Sequence, residues 1–77
     1  MDMWKEGTLK VNGKVYRYWI KQYDTGSVYG IDGGRISKLM IKLKNKIVCN
    51  YERGWDIQPT DDEAKEALNL ILKAENH

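Results

Sequence analysis

The dipeptide Asn12-Gly13 lies between two runs of alternating apolar and polar residues, and it constrains the fold more than any other feature of the chain. Both residue types tolerate positive φ, so the pair favours a two-residue type I′ hairpin whose twist matches that of the strands it joins. Such a turn sets the register: Val11 opposite Lys14, Leu9 opposite Tyr16, Gly7 opposite Tyr18. Side chains alternate along a strand, so one face then carries Leu9, Val11, Tyr16, Tyr18 and Ile20. The other carries Trp4, Glu6, Thr8 and Lys10 with Val15, Arg17, Trp19 and Lys21.

Turn residues cluster next at Asp24-Thr25-Gly26 and Asp32-Gly33-Gly34, with a short strand expected between them from Ser27 to Ile31. Arg35 to Leu43 reads as a strand with Leu39, Ile41 and Leu43 on one face and Lys38, Met40 and Lys42 on the other. A three-residue loop, Lys44-Asn45-Lys46, would pair Leu43 with Ile47, Ile41 with Cys49 and Leu39 with Tyr51. That register matches apolar to apolar and is preferred to a two-residue loop; it sends Val48, Asn50 and Glu52 outward. Arg53-Gly54 interrupts the strand, and Trp55-Asp56-Ile57 either resumes it or plugs the end of the core.

Pro59 ends the extended segment. Thr60-Asp61-Asp62-Glu63 has the form of a capping box, with Thr60 as cap and Glu63 reaching back to it. Ala64, Ala67, Leu68, Ile71 and Leu72 follow at helical spacing, which predicts a helix to about Ala74. The expected fold is α+β, an antiparallel β-meander of four to five strands packed by one C-terminal α-helix. Residues 1–77 are expected to form a single small domain. One helix covers one sheet face. It is expected on the Leu9/Tyr16/Leu39/Ile41 layer, leaving the reverse face to solvent, a partner or a second copy.

Chemistry-bearing residues are scarce. The single cysteine, Cys49, and the single histidine, His77, allow no internal disulfide, no zinc spacing and no Cys–His or Ser–His–Asp set. Cys49 is expected in the core, and no enzymatic activity, metal or cofactor is expected. The glycine-rich stretch Gly26–Gly34 lacks a Gly-Lys-Ser/Thr ending and no helix follows it, so its glycines read as turn residues and not as a phosphate loop. Met1 to Gly7 lacks the pattern of a signal peptide. No run approaches the roughly 20 apolar residues of a membrane span. A cytoplasmic protein without a membrane partner is expected.

Charge is distributed unevenly. Residues 1–55 hold 11 Lys/Arg against 5 Asp/Glu, whereas residues 56–77 hold 2 against 6. A basic strand region suits a polyanionic or acidic partner, although lysines on a sheet also discourage edge-to-edge pairing. The candidate binding residues are Trp4, Lys10, Arg17, Trp19 and Lys21, with Lys38 and Lys42 beside them. Interleaved rings and cations suit single-stranded nucleic acid, where bases stack and cations follow the phosphates. The same types anchor protein interfaces, and Trp19, Tyr23 and Tyr29 would then contact a host protein. Cations lying across the rings as simple shielding, or a homodimer through the uncovered face, are the other readings.

The run Tyr29-Gly30-Ile31-Asp32-Gly33-Gly34-Arg35-Ile36-Ser37-Lys38-Leu39, followed by Tyr51-Glu52-Arg53-Gly54-Trp55-Asp56-Ile57-Gln58-Pro59-Thr60-Asp61, resembles a small family of bacterial proteins of prophages and conjugative elements. The resemblance covers about residues 27–73 and carries no assigned site residues. It implies an accessory protein of a mobile element, a class whose members bind DNA or block host defence proteins. In outline the basic strands and single helix are also similar to coactivator-type single-stranded DNA binders, which pair their helices as dimers.

Overall fold

The computed structural model describes residues 4–28 and 30–76. Five antiparallel strands follow one another in a meander: β1 (Trp4–Val11), β2 (Lys14–Gln22), β3 (Ile36–Leu43), β4 (Lys46–Glu52) and β5 (Trp55–Ile57), in that spatial order. One helix, α1 (Asp62–Glu75), lies on one side of the sheet. The fold is α+β.

The first hairpin has the register that Asn12-Gly13 dictates, with Leu9 opposite Tyr16 and Gly7 opposite Tyr18. Both turn residues have positive φ, 52° at Asn12 and 77° at Gly13, which a type I′ turn requires. Val11, Tyr16, Ile20, Leu39, Ile41, Cys49 and Tyr51 form the buried sheet layer, and Ala67, Leu68 and Ile71 of α1 close over it. Removing each large aliphatic side chain from water contributes about 1.5–3 kcal/mol. The helix thus covers the Leu9/Tyr16/Leu39/Ile41 side, where Leu9 and Tyr18 are half-buried against the same cluster.

Four details differ from the sequence expectation. Of the expected strand from Ser27 to Ile31, the described residues Ser27, Val28, Gly30 and Ile31 are not in a strand, and Tyr29 lies outside the described residues: the Ser27 N–H donates to the Gly34 carbonyl at 3.1 Å and the Gly30 N–H donates back to Ser27 at 2.9 Å. A single 3-10 turn, Ile31–Gly33, closes this segment, and the fifth strand is Trp55–Ile57 instead. The β3–β4 loop has two residues, since Leu43 pairs with Lys46. A bulge beyond Lys42–Ile47 then restores the pairing of Ile41 with Cys49 and Leu39 with Tyr51. The extra residue is Val48, which turns onto the core, while Ile47 is exposed.

At the helix start the cap is Asp61, not Thr60: its carboxylate accepts from the Ala64 N–H at 2.7 Å. Glu63 is consequently not needed at the cap and reaches the first hairpin, taking bonds from Asn12 Nδ2 at 2.9 Å and Lys14 Nζ at 2.6 Å. Trp55 does not plug the core; it stands 40% exposed with its ring edge-on to Tyr51 at 5.0 Å.

The far end of α1 is tied down just as firmly. Lys5 Nζ meets the Glu75 carboxylate at 2.8 Å, and Gln22 Nε2 donates to the Glu75 carbonyl at 2.6 Å. Asn76 then inserts its amide into the β2–β3 loop, donating to the Ile31 carbonyl at 2.8 Å and accepting from the Ile36 N–H at 2.9 Å. Helix and sheet are therefore fixed at both ends, and the face away from α1 is left open.

Candidate functional site

Strand pairing arranges the open face in rows that run across the sheet. Trp4 pairs with Lys21, Lys21 with Lys38, and Lys38 with Glu52. The next row is Glu6, Trp19, Met40 and Asn50. The third brings Thr8 beside Arg17 and Arg17 beside Lys42, and at the margin Lys10 pairs with Val15. Trp4, Lys10, Arg17, Trp19, Lys21, Lys38 and Lys42 thus share one continuous surface.

Both tryptophans carry a cation. The Arg17 guanidinium lies 5.2 Å from the Trp19 ring centre, and Lys21 Nζ lies 5.5 Å from that of Trp4. Trp19 is half-buried, whereas Trp4 is 54% exposed. The Trp4 indole forms one wall of a shallow groove of about 240 Å³, completed by Lys38, Met40, Asn50 and Glu52 with Leu39 and Tyr51 beneath. The Asn50 amide is held by Asp56 at 3.1 Å, an ordered polar group at the floor of that groove.

The cations divide into two kinds. Arg17 is paired with Glu6 at 2.9 Å, and Lys38 with Glu52 at 3.3 Å. Lys10, Lys21 and Lys42 have no carboxylate within ion-pair distance among the described residues. Such exposed pairs contribute little to stability, and water screens them.

Glu6 is the participant that sequence reasoning placed on this face without a role. One of its oxygens accepts from Arg17 Nη2 at 2.9 Å and the other from Trp19 Nε1 at 2.8 Å. The signal was present in the hairpin register, which sets Glu6 directly across from Trp19 and one diagonal step from Arg17.

Other features lie apart from this surface. Tyr23 is half-buried, its backbone tied to Arg35, while Tyr29 and His77 lie outside the described residues. An open groove of about 900 Å³ separates the β1–β2 and β3–β4 turns, and Lys14, Lys44 and Lys46 line it without an aromatic ring. Burial pushes the Cys49 thiol up to about 12, so it is protonated and inert as a nucleophile at neutral pH. Among the described residues no three His, Cys, Asp or Glu side chains cluster to hold a metal ion. No helix among them is long and apolar enough to cross a membrane.

A family profile, a domain of unknown function designated DUF7678, matches residues 3–76. The chain belongs to the DUF7678 family. The match spans the whole sheet, the helix and the Asn76 anchor, so DUF7678 corresponds to the fold described above. No curated protein and no solved structure matches the chain.

Proposed function

We propose that this protein is a small non-catalytic binding protein that holds single-stranded nucleic acid across its open sheet face. The observation that carries the reading is the exposed Trp4 wall and its groove on a sheet face that also carries Lys10, Lys21 and Lys42, three cations without acidic partners among the described residues. Bases would stack on Trp4 and Trp19, and phosphates would lie along Lys10, Arg17, Lys21, Lys38 and Lys42. Stacking on an aromatic ring is worth about 1–3 kcal/mol per base. Each phosphate contact releases counterions, so affinity should fall steeply with salt. A cytoplasmic accessory role in a prophage or conjugative element fits this reading.

The test is fluorescence anisotropy with labelled single- and double-stranded oligonucleotides at about 50 and 200 mM salt. Binding of the single strand that weakens at the higher salt and is lost in Arg17→Ala/Trp19→Ala supports the proposal. Absence of binding at the lower salt rejects it.

A protein partner, such as a host defence protein, is the second reading. The Arg17–Trp19 pair favours it, because stacked Arg and Trp side chains anchor protein interfaces. Capture of such a partner should depend weakly on salt and be lost in the same double substitution.

A further inference from the structure

The Glu6 carboxylate is held as a ligand would be. Its two oxygens accept from two different donors, Arg17 Nη2 at 2.9 Å and Trp19 Nε1 at 2.8 Å, beside the β1 edge of the open face. A phosphodiester presents the same chemistry, two anionic oxygens on one atom, and arginine binds either group readily. The pair is solvent-exposed, with side-chain accessibilities of 56% for Arg17 and 55% for Glu6. An exposed pair adds little to folding, and Glu6 on the edge strand β1 is free to swing into water. Little in the stability of the sheet therefore requires a carboxylate at this position.

We infer that Glu6 is an internal competitor for phosphate: it occupies the Arg17–Trp19 fork in the free protein and gives it up when a nucleic-acid phosphate enters. This inference rests on the nucleic-acid reading and adds a specificity-determining residue to it. A lone anion gains only the contacts that Glu6 already makes and has no advantage over it. A polyanion that also engages Lys10, Lys21 and Lys42 gains enough elsewhere to displace the carboxylate. Glu6 thus lowers affinity for small anions and short strands, and sets a minimum number of phosphates for occupancy.

The test compares the full-length wild type, Glu6→Gln and Glu66→Gln in anisotropy titrations with a labelled single-stranded oligonucleotide across a salt series. Glu66 is exposed on α1, on the opposite side of the sheet, so its substitution changes net charge equally without touching the fork. Glu6→Gln should bind about two- to fivefold more tightly at low salt, the scale of one exposed ion pair. The slope of log K against log salt should stay close to that of the wild type, because a phosphate occupies the fork in both complexes. Glu66→Gln should match the wild type. If the wild type binds and Glu6→Gln has the same affinity or merely equals Glu66→Gln, or if its slope gains a full extra phosphate contact, Glu6 is not displaced by phosphate and the nucleic-acid reading stands. If neither the wild type nor Glu6→Gln binds at low salt, the reading and this inference fall together.

Discussion

Lys14 donates to Glu63 at 2.6 Å, joining the second strand of the first hairpin to the opening turn of the helix across 49 residues of sequence. The hydrogen bond from Lys14, followed by that from Asn12, holds the Glu63 carboxyl below its ordinary 4.5, and the same contact raises Lys14 above 10.5. A carboxyl lowered by folding stabilises the fold above its unfolded value and loses that contribution as pH falls through the folded one. A lysine raised by folding contributes below its unfolded value and loses the contribution as pH rises through the folded one. Glu63→Gln should therefore melt below the wild type across the neutral range. The gap should close on acidification below 4.5 and again above 10.5, as read from thermal melts over a pH series.

Asn76 links the end of α1 to the loop before β3 through one bond given and one received. Asn76→Ala leaves the Ile36 N–H and the Ile31 carbonyl without this partner, at about 1–3 kcal/mol. Asn76→Asp keeps the acceptor for Ile36 but sets a carboxylate against the Ile31 carbonyl, so it should not restore the wild type. Urea unfolding should give both variants lower midpoints, and hydrogen exchange should speed up at the Ile36 amide.

Two glycines differ in what a methyl group would meet. At Gly30 an added Cβ runs into the Gly34 carbonyl oxygen and approaches that of Ile36, both backbone atoms that cannot turn aside. At Gly7 the nearest atoms belong to the Tyr18 phenol, at 2.5 Å. Gly30→Ala should cost about 2–3 kcal/mol as a backbone clash. Gly7→Ala should cost less, about 1 kcal/mol, because the ring can shift and alanine suits a strand better than glycine. Equal urea midpoints for the two would contradict this ordering.

The Cys49 thiol, buried and pushed up to about 12, should resist a thiol reagent in the native protein and react once the chain unfolds. Labelling with an aromatic disulfide reagent at pH 8, with and without urea, reads this directly. Rapid native labelling would show the β4 core layer to be open.

Much of the fold was legible because short-range chemistry fixed it. Asn12-Gly13 set the first hairpin, and the hairpin's alternation separated the face under α1 from the open one. What could not be read depended on contacts distant in sequence. Thr60 and Asp61 are both competent caps; the choice of Asp61 accompanies the use of Glu63 by Lys14 and Asn12. The bulge at Val48 reaches the same Ile41–Cys49 pairing that a longer loop would give, so alternation alone cannot separate the two. Ser27 to Ile31 resembled a strand because the Asn76 anchor that holds the neighbouring loop lies 45 residues away. At the site, the mixture of rings and cations was visible in the sequence. The double hold on Glu6 emerged only with the side-chain geometry.

If nucleic acid lies on the face opposite α1, the three indole N–H groups report it within one molecule. Trp4 and Trp19 lie on the open face, while Trp55 packs edge-on against the core residue Tyr51 and serves as an internal reference. In ¹H–¹⁵N spectra recorded during titration with a single-stranded oligonucleotide, the Trp4 and Trp19 indole signals should move while those of Trp55 and the α1 amides stay in place. Shifts concentrated on Trp55 and α1 would move recognition off the open face, and none on any indole at low salt would rule it out.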